Sequence, residues 1–343
     1  MSWQFFGLVM ADKLAGHGPG WQSAKVEIFV AAARIRVFVG SVTQSRNNAA
    51  WLKRTAPAKV NLMLSVQGRR ADGFHDLTSL VAPLEFGDEL ELRLSGGPSD
   101  SLVVEGQSVP LDGSNLVLKA AQAFREKTGR AETFDFRLKK RIPAGAGLGG
   151  GSSDAVAALK GMDALLGTGL GPAALREVAA DLGSDCPFFV DAAPTFMRGR
   201  GERLERVDEA VSERLAGQRL LLFRPGFGVE TAWAYRRLAA HPEGYEPASL
   251  AEAHLRAFRD GGELSAVMRN GFEAVVGRKF LAIPCLLAIL QDRGFRCMMS
   301  GSGSACFALV EDDAQVAEMT RIVLNCWGES TFWVETSLLG QKM

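Results

Sequence analysis

The stretch Pro143-Ala-Gly-Ala-Gly-Leu-Gly-Gly-Gly-Ser-Ser-Asp154 contains five glycines within seven residues, followed by two hydroxyl groups and a carboxylate. Glycine has no Cβ, so main-chain N–H groups can approach a ligand closely and the chain can adopt positive φ. A helical pattern follows directly, and a helix N-terminus presents unpaired N–H groups and the positive end of its dipole. The stretch therefore predicts an anion-binding loop, and the phosphates of ATP are the first candidate ligand.

The helix after this loop is predicted from apolar residues that recur at helical spacing from 153 to 166, with Gly167 ending it. Ser152 or Ser153 is expected to cap its N-terminus, and Asp154 is expected in its first turn. The alternative is a flexible glycine turn before an ordinary core helix. Flexible linkers rarely lead straight into a capped amphipathic helix, so the phosphate loop is favoured.

Two familiar phosphate loops fit poorly. The pattern G-x-x-x-x-G-K-[ST] is absent, which disfavours a P-loop NTPase. A G-x-G-x-x-G match exists at Gly145, Gly147 and Gly150, with Asp163 roughly where a ribose-binding acid would lie. A dinucleotide fingerprint should follow a buried strand, but residues 134–142 alternate apolar and polar and predict a half-exposed strand.

Composition limits the class of protein. A chain of 343 residues that is 47% apolar and 23% charged is typical of a soluble protein with two domains, and a cytoplasmic location is expected. The formal net charge of zero argues against a nucleic-acid partner. No run approaches the roughly 20 apolar residues that span a membrane, and the first ten residues fit a signal peptide poorly. A monomer and a homodimer both remain open.

Metal and disulfide chemistry are disfavoured. Five cysteines without a C-x-x-C pair indicate reduced, mostly buried thiols. Four histidines without ligand spacing make a dedicated transition-metal site unlikely. The cysteines are Cys186, Cys285, Cys297, Cys306 and Cys326.

The order of elements predicts an α/β or α+β protein, because strands and helices alternate in blocks. Residues 1–50 have no clear period and are expected to form an extension, partly ordered at best. Strands are predicted at 55–66 and 77–94, and a second block starts near 218. The predicted helices lie at 114–128, 153–166, 172–182, 231–240, 250–259 and 284–293.

Three further features carry candidate chemistry. Lys59 lies in an apolar strand, where it is either a snorkelling edge residue or a functional cation. Asp185 follows a helix and precedes an apolar run, as a simple cap or a catalytic carboxylate. Residues 300–304 (Ser-Gly-Ser-Gly-Ser) form a second glycine turn. Together with the first loop they supply what phosphoryl transfer needs: N–H donors for phosphates, a cation for the transferred group and a carboxylate for the acceptor hydroxyl.

These motifs occur in an order that resembles the GHMP kinase superfamily: Pro57-Ala-Lys-x-Asn-Leu62, the glycine loop, then the C-terminal Ser-Gly-Ser-Gly turn. Within it, residues 68–77 (GRRADGFHDL) and 182–189 (LGSDCPFF) resemble the branch that phosphorylates a cytidine diphosphate ester of methylerythritol in the non-mevalonate isoprenoid pathway. The resemblance covers about residues 54 to 335. It implies an N-terminal ATP-binding domain at 51–210 and a C-terminal ferredoxin-like α+β domain at 211–343.

The resemblance also implies roles for individual residues. Lys59 and Asp185 would be the catalytic pair, with Asp185 accepting or orienting the proton of the 2-hydroxyl and Lys59 offsetting charge on the γ-phosphoryl group. ATP and Mg²⁺ would be the cofactors, with Ser153 near the metal. The residues implied for the ATP phosphates are Pro143, Ala144, Gly145, Ala146, Gly147, Leu148, Gly149, Gly150, Gly151, Ser152 and Ser153.

The acceptor implied by the resemblance is a small molecule bound through its cytidine. Asn61, Phe74 and His75 would line the cytidine end, with His75 hydrogen-bonding the base and Phe74 stacking on it, and Thr231 and Tyr235 would close the pocket. Phe74 replaces the tyrosine more usual in this motif, which keeps stacking but removes a hydroxyl.

Two alternatives remain at this stage. Another kinase of the superfamily, acting on homoserine, mevalonate or a sugar, would have no use for the 68–75 segment as a cytosine pocket. A nucleotide-binding module without catalysis would be expected to lose Lys59 or Asp185 first, and both are present.

Overall fold

The computed structural model describes residues 50–341 and, before them, the backbone of two short strands, β1 (Ile28–Val30) and β2 (Ala33–Ile35), which pair antiparallel. The rest of the extension predicted at 1–50 lies outside the described residues. The chain divides into two compact units, Met1–Asn48 and Ala49–Met343. Every residue predicted for the site lies in the second unit.

The strands of the second unit build two sheets. Their bounds are β3 (Leu52–Arg69), β4 (His75–Leu94), β5 (Ser101–Gly106), β6 (Phe134–Lys140), β7 (Thr195–Gly199), β8 (Arg203–Arg206), β9 (Arg219–Arg224), β10 (Arg269–Asn270), β11 (Cys297–Met299), β12 (Cys306–Leu309) and β13 (Phe332–Ser337). The strands predicted at 55–66 and 77–94 are confirmed as the long hairpin of β3 and β4.

The predicted helices are confirmed, with ends shifted by up to three residues. The helices are α1 (Leu116–Thr128), α2 (Gly150–Leu166), α3 (Pro172–Leu182), α4 (Cys186–Asp191), α5 (Glu209–Leu215), α6 (Thr231–Ala239), α7 (Ala248–Arg259), α8 (Leu264–Val267), α9 (Glu273–Gly277), α10 (Ala282–Gln291) and α11 (Asp313–Trp327). In the part of the chain that the structure describes, no helix combines the length and apolarity needed to cross a membrane.

The first sheet has the order β10-β3-β4-β6-β5, with β7 paired to β4 and β8 paired to β7. The second sheet has the order β11-β12-β9-β13 and is antiparallel throughout. Its chain order, with helices before β11 and before β13, is the βαββαβ arrangement of a ferredoxin-like unit. The mixed α/β (α+β) class is therefore confirmed. The domain boundary at 210 stays a prediction, and β10 beyond it pairs with β3 before it.

Helix α2 packs closely on the first sheet. A Cβ at Gly161 would lie 2.5 Å from Leu92 Cδ2, so the helix approaches β4 where a glycine permits it. The helix buries small and branched apolar residues, including Val156, Leu159 and Met162, in the same core cluster as the sheet. All five cysteines are free, three of them buried, in agreement with the sequence.

The start of α2 differs from the prediction. The helix begins at Gly150, and its N-cap is Gly149 at φ 71°, with no side-chain capping bond. The expected cap at Ser152 or Ser153 and the place of Asp154 in the first turn were therefore wrong. A glycine in the left-handed region lets the helix begin on the glycines themselves, which moves both serines into the first turn and Asp154 beyond it.

Asp154 is instead part of a buried charge cluster that joins three elements beneath the loop. The Lys140 ammonium of β6 donates to Asp88 of β4 and, at 2.7 Å, to Asp154 of α2. The other Asp88 oxygen accepts the main-chain N–H of Ile142 at 2.8 Å. Burial raises the pKa of Asp154 to about 8 against the attraction of Lys140, and the Asp88 carboxylate adds to the rise. The cluster ties α2 to the sheet.

Replacing Asp154 with Asn tests this cluster. Because its pKa rises from 3.8 to about 8 on folding, the native state holds a proton that the unfolded chain releases, and the free energy of unfolding falls as pH rises through that window. Asparagine cannot ionise and is free of this loss. As pH rises, the free energy of unfolding of Asp154→Asn should therefore increase relative to that of the wild type by up to about 1.4 kcal/mol per pH unit. Urea unfolding between about pH 5 and pH 8 measures the gap. Parallel curves for the two proteins would contradict the account.

Candidate active site

A cavity of about 880 Å³ brings together half of the predicted site residues, from both halves of the second unit. The predicted residues that line it are Lys59, Asn61, Phe74, His75, Gly147, Ser152, Asp185, Thr231 and Tyr235. These residues lie on β3, the β3–β4 turn, the start of β4, the glycine loop, the first turn of α2, the position before α4, and α6. The structure thus joins residues that lie far apart in the sequence.

The glycine loop is held by close main-chain approaches. Gly147 has φ 79°, and a Cβ there would lie 2.4 Å from the carbonyl oxygen of Ser300. A Cβ at Gly149 would lie 2.7 Å from Phe189 and 3.0 Å from Lys59 Cγ. A side chain at either position would push the loop away from its neighbours, so these two glycines are required by space as well as by φ.

The second glycine turn packs on the first. The Ala305 N–H donates to the Ala146 carbonyl at 3.1 Å, and the Ser300 hydroxyl donates to the Gly147 carbonyl at 3.3 Å. Asn270 Nδ2 donates to the carbonyls of Met299 and Gly301, each at 2.8 Å. The 300–304 turn is therefore a tight turn that also forms one wall of the cavity, and Asn270, which the sequence did not single out, holds it.

The remaining loop residues divide by exposure. Ala146 and Leu148 are buried in the core beneath the loop, and Pro143 is also buried. Ala144, Gly145 and Gly151 are exposed, and Gly149 and Gly150 are partly buried. The buried residues Pro143, Ala146 and Leu148 therefore anchor a loop whose other residues, up to Ser152, are exposed or partly buried.

Ser153 differs from Ser152. Its side chain lines a second cavity, of about 420 Å³, rather than the first. The residue is 1% exposed, and its hydroxyl has no hydrogen-bond partner among the described residues. Buried hydroxyl groups normally have a hydrogen-bond partner. A bound cation or phosphate would supply the partner that this hydroxyl beside the glycine loop lacks.

Lys59 is a buried cation rather than a snorkelling edge residue. It is 7% exposed, and its strand β3 is paired on both sides, with β4 and β10. Its ammonium donates to Asn61 Oδ1 at 2.7 Å and lies 3.7 Å from Asp185 Oδ2. Asn61 is itself oriented because its Nδ2 donates to Ser79 Oγ at 2.9 Å. The ammonium is thus aimed at the Asp185 carboxylate by fixed partners.

Asp185 precedes α4 but does not cap it. The residue occupies the N-cap position with φ −85° and ψ −16°, and its side chain makes no capping hydrogen bond. The carboxylate is 44% exposed and faces the cavity. The Asp185 side chain is therefore not a helix cap, and its carboxylate is accessible from the cavity.

His75 lies in an aromatic cluster at the turn end of the β3–β4 hairpin. Its ring centroid is 4.9 Å from that of Tyr235, which stands edge-on to Phe272 at 4.8 Å. His75 Nε2 is 3.1 Å from the Tyr245 hydroxyl. Burial lowers the pKa of His75, and the Arg69 guanidinium lowers it further. The chain has two tyrosines, and both contact this histidine, although the sequence indicated Tyr235 alone.

Phe74, beside His75, is 48% exposed and lines the cavity, with the Arg200 guanidinium 5.1 Å from its ring centroid. The turn that carries both residues is fixed by Arg70, which binds Asp72 and Asp76 at 3.0 Å each. On the opposite wall, the Thr231 and Ser302 hydroxyls are 2.9 Å apart.

No group of three or more metal-ligating His, Cys, Asp or Glu side chains occurs among residues 50–341, where side chains are described. A divalent cation at this site would depend mainly on ligands from a bound nucleotide, as Mg²⁺ commonly does.

Comparison with known proteins identifies the relatives. Residues 115–199 match the profile of the GHMP kinases N terminal domain, and residues 249–329 match GHMP kinases C terminal. The chain is 39% identical over 261 residues to 4-diphosphocytidyl-2-C-methyl-D-erythritol kinase of Pelotomaculum thermopropionicum, covering 75% of this chain and 88% of that one. It is 40% identical over 273 residues to the enzyme of the same name from Synechococcus sp. (strain CC9902), covering 76% and 88%.

Comparison with solved structures gives the same family as comparison of sequences. The crystal structure of a 4-(cytidine 5'-diphospho)-2C-methyl-D-erythritol kinase is similar with a TM-score of 0.68 and 35% identity, covering 83% of this chain and 99% of that one. Homoserine kinase from Cytophaga hutchinsonii has a TM-score of 0.66 but 17% identity, over 87% of this chain and 97% of that one, which shows a shared fold alone.

The environment of His75 gives a direct prediction. Because burial and Arg69 both disfavour the imidazolium, His75 should titrate below its ordinary pKa of 6.5 and be neutral at pH 7. Arg69→Ala should raise that pKa, since it removes the second cause. NMR of protein labelled at histidine, with the His75 signal assigned by His75→Gln, measures both values. A His75 pKa above 6.5, or one unmoved by Arg69→Ala, would contradict this description.

Proposed function

The chain belongs to the 4-diphosphocytidyl-2-C-methyl-D-erythritol kinase family of the GHMP kinases, and on this premise we propose that it transfers the γ-phosphoryl group of ATP to the 2-hydroxyl of 4-diphosphocytidyl-2-C-methyl-D-erythritol. The products are ADP and the 2-phosphate, in the non-mevalonate route to isoprenoid precursors. One observation carries the proposal: a single cavity holds both the Lys59–Asp185 pair and the aromatic cluster around His75.

The Lys59–Asp185 pair serves the transfer step. The Asp185 carboxylate accepts a hydrogen bond from the 2-hydroxyl and orients it towards the γ-phosphorus. As the new O–P bond forms, the bond from the γ-phosphorus to the β,γ-bridging oxygen breaks, ADP leaves with that oxygen, and the hydroxyl proton passes to Asp185. Lys59 offsets negative charge on the transferring group, and Asn61 orients the ammonium.

The glycine loop serves ATP. Its glycine-rich main chain and the N-terminus of α2 suit the phosphates, and Ser152 lines the cavity. We assign Mg²⁺ to the nucleotide phosphates in the first cavity; Ser153, expected from the resemblance to lie near the metal, lines the second cavity instead and is not assigned as its ligand. When bound, the ion neutralises charge on the β- and γ-phosphate oxygens.

The aromatic cluster serves the cytosine. A neutral imidazole has one N–H donor and one acceptor, and Tyr245 occupies Nε2, which leaves Nδ1 for the base. Phe74 offers an exposed ring for stacking, and Thr231 and Tyr235 close the opposite wall. ATP and this acceptor are both water-soluble metabolites, in keeping with the cytoplasmic location expected from the composition.

Asp185→Asn tests the proposed chemistry. Asparagine has nearly the same shape as aspartate but cannot accept the proton, so kcat should fall about a thousandfold. ATP affinity should change by less than about threefold, because the loop and α2 are untouched. Coupled detection of ADP gives kcat, and calorimetric titration gives ATP affinity.

The matched control is Asp181→Asn, at an exposed position on α3 outside the cavity. It should retain the wild-type kcat. An Asp185→Asn enzyme with most of its turnover would remove Asp185 from the mechanism.

A further inference from the structure

The cavity carries more positive charge than the transfer chemistry uses. Its charged lining residues in the described part of the chain are four cations, Lys59, Arg69, Arg200 and Arg236, and one carboxylate, Asp185. Lys59 lies beside Asp185, and Arg236 lies 3.3 Å from Glu230. Arg69 and Arg200 remain, and neither has a carboxylate within 4 Å among the described residues.

The two arginines flank His75 on neighbouring strands. Arg69 ends β3 directly opposite His75, with which it is in register across the hairpin. Arg200 follows β7, whose last residue Gly199 pairs with Leu77, two residues beyond His75. Both guanidiniums therefore belong to the nucleoside end of the cavity. Arg69 lies ten residues along β3 from Lys59. Because the two cations are far apart on this strand, they would contact different parts of a bound ligand.

Local acidic residues do not neutralise this pair. Asp72, the carboxylate nearest in sequence, is bound by Arg70 at 3.0 Å, and Arg70 also binds Asp76. The largest cause of the lowered pKa of Asp72 is its hydrogen bond with Arg70, and the charge of Arg200 is the smallest. The turn thus uses Arg70 to hold its own shape and leaves Arg69 and Arg200 directed to the cavity.

An uncharged base and ribose would have no use for two guanidiniums that have no carboxylate partner, although Arg200 also lies over the Phe74 ring. A diphosphate, with a negative charge on each phosphate, offers each of them a bidentate, charge-assisted contact. We propose that Arg69 and Arg200 bind the diphosphate of the acceptor and determine its selection over nucleosides that lack phosphates. This inference rests on the proposed function, because it takes the acceptor to be a cytidine diphosphate ester.

The test compares the binding of cytidine and cytidine 5'-diphosphate to the full chain by calorimetric titration. The wild type should prefer the diphosphate by at least about tenfold, and Arg69→Ala/Arg200→Ala should reduce the preference to about twofold or less. Far-UV circular dichroism and thermal unfolding serve as the control for folding, because Arg200 lies over the Phe74 ring and Arg69 lowers the pKa of His75, so cytidine affinity alone does not report folding. Arg69→Lys/Arg200→Lys should restore part of the preference, because it keeps charge but loses the bidentate geometry.

The matched control is Arg203→Ala, an exposed arginine on β8 that does not line the cavity. It should leave the preference unchanged. In steady-state kinetics the double alanine variant should raise KM for the acceptor by at least about tenfold and change KM for ATP by less than about threefold.

The outcomes separate this inference from the function on which it rests. If the double variant binds cytidine and keeps the wild-type preference for the diphosphate, the two arginines do not bind the diphosphate, while the proposed kinase function stands. If the wild type binds neither compound and phosphorylates no cytidine diphosphate ester, the proposed function fails, and the inference fails with it.

Discussion

The contact between two glycine turns is the constraint on which the site depends. Gly147 meets the Ser300 carbonyl at a distance that no Cβ would allow, and the main chains are joined by the hydrogen bond from Ala305 to Ala146. The first turn belongs to the glycine loop, and the second, at residues 300–304, connects β11 to β12 of the second sheet. The cavity walls are therefore positioned by backbone packing, which side-chain variation elsewhere cannot easily loosen.

Charge is used differently below the loop and within the cavity. Below it, Lys140 is buried between Asp88 and Asp154, so it holds α2 against the sheet. Within it, Lys59 is paired loosely, at 3.7 Å, with a partly exposed carboxylate, which leaves both groups able to meet a ligand. The same residue types are thus fully paired beneath the loop at Lys140 and face the cavity at Lys59 and Asp185.

Patterns along the chain predicted the hairpin of β3 and β4 and the main helices, because periodicity is a local signal. Lys59 and Asp185 were candidates from pattern and His75 from the family resemblance, and all three line the cavity, while their roles stay predictions. The start of α2 was missed because a left-handed Gly149 caps the helix without a side chain. Tyr245 and Asn270 were missed since their partners, His75 and the 300–304 turn, lie far away in the sequence. Whether Asp185 caps a helix depends on backbone angles that no sequence motif specifies.

The most direct measurement of the central claim follows the product by ³¹P NMR when the full chain is given ATP, Mg²⁺ and, in turn, 4-diphosphocytidyl-2-C-methyl-D-erythritol, homoserine or mevalonate. We expect one new phosphomonoester signal with the first acceptor, matched by an equal amount of ADP, while the diphosphate signals of that acceptor persist. Phosphorylation of homoserine or mevalonate without the cytidine compound, or ADP release with no new phosphate ester, would contradict it.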